Sequence, residues 1–368
     1  MTKVRLRRIL LIASIAVVAS VCLLLLLMDR RHSSENSALW TTSTDSAAHH
    51  HIKTILYWDN YFWEPWGKWW PTGELHCPHN VKCRLTENRS EYQNSSALIL
   101  HASDVNSDLP NHRPPNQIWV YLNQESPVNS GEFYSNPNII NWTLSYVREA
   151  DIWWPYGEIV SGKFKGGFDS QKNYLRNKTK SVAAMMSSCL HHRMDFVNAL
   201  AKHIDVDVFG GCGTKEVCWS HNCSGDYQRF KPYKFYLALE NSFCRDYVTG
   251  NFYWYGLQFS MVPIVVGGAN YSDPHIAPPG SYIDASNFKS AKELADFLKI
   301  LGSQPQEYNQ YFYWHSAYDI SYISNFKESA MCKVCRSMYH KQGNSKSYRD
   351  VKLWYDTAGK CQSYPRLQ

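Results

Sequence analysis

The sequence Phe235-Tyr-Leu-Ala-Leu-Glu-Asn-Ser242 decides the fold of this chain. Its first five residues are apolar, which predicts a strand buried on both faces, and a Glu and an Asn follow at the strand end. A predicted helix over 248–260, an apolar strand over 262–266 and a Gly-Gly turn come next. Strand, helix and strand in this order predict a parallel sheet, and ligands of such sheets usually bind at the carboxyl ends of the strands.

A polar, basic stretch at 163–180 separates a first half of short, alternating and aromatic elements from a second half of apolar strands and helices, and we place a domain boundary there. Because 368 residues exceed what one hydrophobic core usually covers, two packed domains are expected. The sequence therefore predicts an α/β fold. Further strands are predicted at 54–58, 97–101, 118–122, 182–187 and 206–209, and helices at 192–203 and 291–301, the latter capped by Ser290.

A transmembrane anchor is predicted at residues 9–28, an apolar run about as long as the ~20 residues that cross a bilayer. Lys and Arg are more frequent before the run than after it, which places residues 1–8 in the cytosol and the remainder in the lumen. A cleaved signal peptide has a similar start, but its apolar stretch is shorter and ends at a small-residue site. Residues 29–51, rich in Ser, Thr, Ala and His, are predicted to form a flexible stem.

Glycosylation sequons also indicate the secretory pathway, because such sites are used only there. Any single sequon can arise by chance, so several of them together indicate the pathway. The chain contains N-x-Ser/Thr sequons at Asn88, Asn94, Asn141, Asn177, Asn222 and Asn270.

The cysteines outside the anchor suit a disulfide framework in an oxidising lumen. A redox pair or half of a zinc site at Cys332-x-x-Cys335 is one alternative, and a metal cluster built from 212, 218, 221 and 223 is another. The sequence does not determine the pairing. The disulfide candidates are Cys77, Cys83, Cys189, Cys212, Cys218, Cys223, Cys244, Cys332, Cys335 and Cys361, and no residue is assigned to a metal.

Composition indicates a globular chain, with 44% hydrophobic and 19% charged residues. The formal net charge of +6 is spread along the sequence, so it does not indicate nucleic-acid binding and suits an anionic small ligand. Aromatic residues make up 15% of the chain. They either stack against sugar rings or fill a large core.

Glu125 is the candidate general base. It follows the apolar strand predicted at 118–122 and precedes Ser126-Pro127, and the proline prevents the strand from continuing. A carboxylate at a strand end suits catalysis, whereas a lone loop Glu is more commonly solvated. Asp205-Val-Asp207 is a possible metal-binding Asp-x-Asp motif, but its apolar neighbours give the alternation of a strand.

Several blocks of the sequence together resemble the α-1,3-fucosyltransferases, the family 10 glycosyltransferases, over residues 53–340. They occur in the order of that family: Glu125-Ser-Pro127, Pro155-Tyr-Gly157, 182–213, 235–249, 262–268 and 278–283. The resemblance implies a GT-B-like fold of two Rossmann-like lobes with a cleft between them, behind the N-terminal anchor. It implies an acceptor-binding lobe at 52–178, a GDP-fucose-binding lobe at 179–345 and a C-terminal tail at 346–368 that is packed or disulfide-tied to the body.

The implied activity is inverting transfer of L-fucose from GDP-fucose to a GlcNAc hydroxyl of a glycoprotein glycan, in α-1,3 linkage, by a type II protein of the Golgi membrane. No tightly bound cofactor is implied, a stimulatory divalent cation such as Mn stays open, and a homodimer is possible. Glu125 corresponds to the base that takes a proton from the acceptor hydroxyl. The implied donor-binding residues are Arg193, opposite the pyrophosphate, with Glu240, Asn241, Tyr247 and Asn251.

The chain departs from the family after the opening strand, where Thr249-Gly250-Asn251 replaces a Thr-Glu-Lys run. Asn251 can donate a hydrogen bond but brings no charge. Lys234 and Arg245 are either substitutes for the missing cation or solvated surface residues. A second hypothesis is therefore a catalytically inactive relative in the Golgi that binds glycan or a partner protein.

Overall fold

The computed structural model describes residues 52–104, 108–131, 137–164, 167–213, 226–321, 326–340 and 346–365. The predicted tail, anchor and stem at 1–51 lie outside these residues. Among the helices of the described ranges, none has the length and apolarity needed to cross a membrane.

A seven-stranded sheet forms the N-terminal part, with the strand order β2-β3-β1-β4-β5-β6-β7. All neighbouring strands are parallel except β2 and β3, which are antiparallel. The strands are β1 (Lys53–Tyr57), β2 (Gly73–Cys77), β3 (Val81–Thr86), β4 (Ala97–His101), β5 (Ile118–Asn123), β6 (Trp142–Ser145) and β7 (Ile152–Trp153).

A second, five-stranded parallel sheet has the order β10-β9-β11-β12-β13. Its strands are β9 (Lys180–Met185), β10 (Val206–Phe209), β11 (Tyr233–Leu239), β12 (Val262–Val266) and β13 (Ile283–Asp284). A separate antiparallel pair joins β8 (Glu158–Ser161) to β14 (Tyr318–Ser321).

The helices of the described residues connect and cover these sheets. The α-helices are α1 (His191–Ala201), α2 (Asp226–Phe230), α3 (Ala291–Leu301), α4 (Pro305–Gln310), α5 (Phe326–His340) and α6 (Val351–Gly359). Asn251–Gln258 forms a π-helix. Short 3₁₀ segments occur at Trp66–Lys68, Pro78–Asn80, Arg89–Asn94, Ala102–Asp104, Ala285–Asn287 and Tyr313–Ser316.

The strand predicted at 235–239 is central to the second sheet because both of its faces are covered. Phe235, Leu237 and Leu239 pack with residues of α1 and α3. Tyr236 and Ala238 face the other side and pack with residues of the π-helix. This alternation is the period of two of a pleated strand. The prediction of a doubly covered strand is confirmed.

The amphipathic helix predicted at 291–301 is also confirmed, together with its cap. The Ser290 hydroxyl accepts a hydrogen bond from the Glu293 backbone N–H at 3.2 Å. Such a cap satisfies one of the free N–H groups of the first helical turn and contributes about 1 kcal/mol to the stability of the fold. Leu294, Leu298 and Leu301 form the buried face.

The predicted GDP-fucose-binding lobe at 179–345 includes α5. In the structure, however, this helix packs on the first sheet rather than on the second. Met331, Val334 and Met338 of this helix belong to the same buried cluster as residues of β1, β4 and β5. Two disulfides fix the helix there, Cys77–Cys332 and Cys83–Cys335. These contacts join residues more than 250 positions apart, so no local pattern indicates them.

The disulfide prediction is confirmed for eight of the candidate cysteines. Besides the two bonds of α5, Cys189 pairs with Cys212 and Cys244 pairs with Cys361. The bond between Cys244 and Cys361 ties the C-terminal segment to the body. Cys332 and Cys335 bind different partners, which rules out a redox pair or a zinc site at this motif. Cys218 and Cys223 lie outside the described residues.

The structure excludes one of the predicted glycosylation sites, Asn141. Its side-chain oxygen accepts hydrogen bonds from Arg113 and from the Trp119 backbone, and its nitrogen donates to the Lys346 carbonyl at 2.9 Å. A buried amide with these partners is not available to carry a glycan. Asn222 lies outside the described residues, and the exposed sequons are Asn88, Asn94, Asn177 and Asn270.

Candidate functional site

A cavity of about 300 Å³ lies where the carboxyl ends of β5, β9 and β11 meet. Such strand ends are the usual ligand sites of parallel sheets. Residues from both sheets line it. All the predicted catalytic and donor-binding residues are among them: Glu125, Arg193, Glu240, Asn241, Tyr247 and Asn251.

Glu125 reaches the cavity from the first sheet, two residues beyond the end of β5. The loop is held because the Glu125 backbone N–H donates to the Asn123 side chain at 3.0 Å, while its carbonyl accepts a hydrogen bond from the Tyr355 hydroxyl of α6. The carboxylate accepts a hydrogen bond from the Tyr247 hydroxyl at 3.2 Å. Glu125 is thus a half-buried, oriented carboxylate rather than a solvated loop residue.

Burial raises the pKa of the Glu125 carboxyl, and hydrogen bonds from Tyr247 and Asn241 partly offset this rise. A carboxylate with a raised pKa is a stronger base than an exposed one, which suits removal of a proton from a hydroxyl. Burial also raises the pKa of Tyr247 well above its usual value, so this phenol keeps its proton as a donor. The pair therefore combines a proton acceptor with a neutral group that orients it.

Arg193 lines the cavity from the first turn of α1 and is only 4% exposed. Its guanidinium donates to the Ser188 carbonyl at 3.3 Å. Its Nε has no hydrogen-bond partner within the described residues. A buried cation with unused donors is costly unless an anion completes its hydrogen bonds. The arrangement can therefore hold an anionic group such as a phosphate.

Glu240 directly follows β11 and is fully buried. One carboxylate oxygen accepts from the Thr249 backbone N–H and the other from the Thr249 hydroxyl, both at 2.8 Å. These bonds attach the residues before the π-helix to the end of β11. Burial raises the pKa of Glu240 to about 7 against the effects of Thr249 and Arg193.

The raised pKa of Glu240 predicts a pH dependence of stability. The folded state binds this proton more tightly than the unfolded chain, whose ordinary value is 4.5, so the free energy of unfolding falls as pH rises from 4.5 to about 7. The fall is on the order of 3 kcal/mol. We expect the free energy of unfolding of Glu240→Gln, measured by urea unfolding, to differ less between pH 5 and pH 8 than that of the wild type. An unchanged difference between the two pH values would contradict the assignment.

Asn251 begins the π-helix, and its side chain is directed at the end of β11. Its Nδ2 donates to the Leu239 carbonyl at 3.4 Å, and its Oδ1 accepts from the Tyr236 hydroxyl at 3.4 Å. Asn241 follows Glu240 in the chain, and its side-chain oxygen accepts a hydrogen bond from the Ser242 hydroxyl at 3.2 Å. Both Asn side chains thus have protein partners and still line the cavity.

The alternative cations, Lys234 and Arg245, are not among the described residues that line the cavity. Arg245 instead pairs with the Glu149 carboxylate, and its backbone N–H donates to the Gly359 carbonyl at 2.7 Å. Arg193 is thus the cation that the described residues bring to the cavity wall.

Asp207 takes no part in the cavity. It lies in the edge strand β10, where its carboxylate binds Lys180 at 2.8 Å and the Tyr233 hydroxyl. The strand interpretation of this motif is confirmed. Across the described ranges, no group of three His, Cys, Asp or Glu side chains is placed to hold a metal ion.

Several residues of the cavity wall were not predicted from the sequence as site residues, among them Thr249, Tyr156 and Trp254. The Tyr156 hydroxyl donates to the Gln124 carbonyl at 2.7 Å, which fixes the turn next to Glu125. Trp254 is four residues from Gly250, and residues at this spacing are neighbours on a helix. That spacing was the available signal for Trp254.

Family models match most of the described chain. Residues 50–157 match the fucosyltransferase N-terminal model, and residues 175–354 match the C-terminal model of glycosyltransferase family 10. The two matches follow the order of the two sheets.

Individual relatives agree with these matches. The Drosophila melanogaster α-(1,3)-fucosyltransferase C is 30% identical over 351 residues, covering 86% of this chain and 80% of the relative. The Caenorhabditis elegans α-(1,3)-fucosyltransferase fut-6 is 32% identical over 295 residues, covering 74% of this chain and 72% of the relative. A crystal structure of an α1,3-fucosyltransferase with GDP aligns at a TM-score of 0.48 and 14% identity, covering 83% of this chain and 96% of that one. By its two family models and by the extent of its likeness to the Drosophila melanogaster and Caenorhabditis elegans enzymes, the chain belongs to glycosyltransferase family 10, the fucosyltransferases.

Proposed function

We propose that the protein transfers L-fucose from GDP-fucose to a GlcNAc hydroxyl of a glycoprotein glycan, with inversion and in α-1,3 linkage. The observation that carries this proposal is the cavity itself, in which Glu125 from the first sheet and Arg193 from the second line one space of about 300 Å³. The names of the relatives, α-(1,3)-fucosyltransferases, support the same reaction.

Glu125 is the general base of the proposed reaction. Its carboxylate takes the proton of the acceptor hydroxyl while the hydroxyl oxygen bonds to C1 of fucose. The bond from C1 to the diphosphate oxygen breaks at the same time, and GDP leaves with the electron pair. Attack on the face opposite the leaving group inverts the configuration at C1. Tyr247 holds the carboxylate in place throughout, since its hydroxyl donates to it at 3.2 Å.

Arg193 stabilises the departing diphosphate. Negative charge grows on the leaving group in the transition state, and a fixed buried guanidinium needs little reorganisation to receive it. The Nε that has no partner within the described residues supplies one of the required donors. Glu240 acts on the same site indirectly, because its bonds to Thr249 fix the start of the π-helix.

The arrangement of the protein in the cell also belongs to the proposal. We infer a GT-B-like pair of lobes facing this cavity, anchored by residues 9–28 as a single-pass type II protein of the Golgi membrane. The four disulfides of the described residues suit an oxidising lumen. No residue is assigned to a divalent cation, and the homodimer stays a prediction.

Transfer of label tests the proposed function. Purified protein is incubated with labelled GDP-fucose and glycans that differ in the position of their free GlcNAc hydroxyls, with heat-unfolded protein as the blank. We expect label on glycans with a free GlcNAc 3-hydroxyl. Folded protein that transfers no label to any acceptor would contradict the proposal.

A glycan-binding or partner protein without turnover is the second candidate, favoured by the absence of charge at Gly250 and Asn251. Loss of one charge-assisted hydrogen bond to an anion weakens the binding free energy by roughly 1.5–3 kcal/mol. Titration calorimetry with GDP-fucose, run beside the transfer assay, separates the candidates. Tight donor binding with turnover supports the enzyme, and folded protein without either supports the second candidate.

A further inference from the structure

Trp254 lies over Gly250 at the cavity wall. The indole is 38% exposed, an unusual state for a large apolar side chain, and it lines the same cavity as Arg193 and Glu125. A Cβ placed on Gly250 would lie 2.5 Å from Cε3 of this ring. No side chain at position 250 is therefore compatible with the observed position of the indole.

We propose that the Trp254 indole is the surface against which the transferred sugar ring of the donor packs. This inference rests on the proposed function. The sugar is the part of the donor that lies between the two reacting groups, because its C1 is bonded to the diphosphate and is attacked by the acceptor hydroxyl. Arg193 marks the diphosphate end of the cavity and Glu125 the acceptor end, and Trp254 lines the space that contains both.

The indole suits this role chemically. One face of a pyranose carries mainly C–H groups, and a flat aromatic surface buries them without requiring a charge. The neighbouring positions 250 and 251 offer no charge to hold the sugar hydroxyls. An apolar contact from Trp254 would thus bind the sugar where these two positions bring no charge.

The π-helix makes this placement possible. Gly250 immediately precedes the π-helix, and Trp254 is its fourth residue. Phe252, Tyr253 and Leu257 of the same helix are directed into the core, which leaves Trp254 on the cavity side. π-Helical segments often occur at functional sites because they change which side chains a helix presents.

Comparison of GDP-fucose with GDP tests the proposal, since GDP lacks the sugar. In titration calorimetry with the full chain, we expect Trp254→Ala to weaken GDP-fucose binding roughly tenfold, within the range of an aromatic contact. Binding of GDP is expected to stay unchanged. Trp254→Phe, which keeps an aromatic ring, is expected to restore most of the GDP-fucose affinity.

Two further variants complete the test. Gly250→Ala is expected to displace the indole and to reproduce the selective loss of GDP-fucose affinity. Trp63→Ala is the matched control, because Trp63 is 78% exposed and is not among the described lining residues. It should bind both ligands like the wild type.

The outcomes are distinguishable. If the wild type binds GDP and GDP-fucose but Trp254→Ala weakens neither, or weakens both equally, the inference is overturned and the proposed function stands. If the folded wild type binds neither ligand, the proposed function and the inference fall together. A selective loss for GDP-fucose supports the inference.

Discussion

Glu125→Gln is expected to lower the turnover number of fucosyl transfer by roughly 10²–10⁴-fold, the usual contribution of a general base. The amide keeps the shape of the carboxylate and can still accept the hydrogen bond from Tyr247, but it cannot take a proton from the acceptor hydroxyl. Calorimetry should therefore show GDP-fucose binding close to that of the wild type, while the transfer assay shows the loss.

Glu158→Gln is a suitable control for this experiment. Glu158 is also a half-buried glutamate of the first half of the chain, but it is not among the described lining residues and pairs with Lys333 at 3.4 Å. Its replacement should leave turnover within about twofold, since surface ion pairs contribute only ~0–1 kcal/mol. Near-normal turnover of Glu125→Gln would exclude Glu125 as the base.

The second large effect is expected from Arg193→Met. Loss of the buried guanidinium should lower the turnover number by roughly 10²–10³-fold, because the charge on the leaving diphosphate is no longer stabilised. GDP binding should weaken as well, because a charge-assisted hydrogen bond that contributes roughly 1.5–3 kcal/mol is lost. Both are measured on the purified variant, by initial rates and by calorimetry with GDP.

The stability of Arg193→Met separates this role from a structural one. The guanidinium is 4% exposed, and its Nε has no partner within the described residues. Because a buried guanidinium with an unused donor is costly, an apolar side chain of similar length should leave the melting temperature close to that of the wild type. A large fall in melting temperature together with unchanged GDP affinity would contradict the phosphate assignment.

Arg245→Met is the matched control for the second experiment. Arg245 is close to the site in sequence, but it binds the Glu149 carboxylate away from the cavity. Donor affinity and turnover should change little. A loss as large as that of Arg193→Met would mean that Arg245 supplies the cation missing at position 251.

Local sequence patterns were sufficient to predict those strands and helices that are defined by their own residues. The strands Ala97–His101, Val206–Phe209 and Val262–Val266 and the helix Ala291–Leu301 have the bounds that the sequence predicts. An apolar run, a period of two or a period of 3.6 is present in the chain itself and needs no partner to be recognised. The helix predicted over 248–260 is shorter and π-helical, because helix type depends on packing as well as on periodicity.

Elements that depend on distant partners were missed. The strands Gly73–Cys77 and Val81–Thr86 carry the cysteines that bind α5, and both are short and mixed in polarity. Their stability depends on that helix, which follows about 250 residues later in the chain. The burial of Asn141 likewise depends on the Lys346 carbonyl, from the other end of the chain.

By itself, the sequence determined the parallel sheets, the residue types at their strand ends and the family to which the chain belongs, because these follow from runs of neighbouring residues. Only the tertiary structure decided which strand ends share a cavity, which cysteines are bonded, and that the space above Gly250 is occupied by an indole. Those features are contacts between segments far apart in the chain or between helical neighbours in a particular geometry. Such contacts are set by packing, which no linear pattern records.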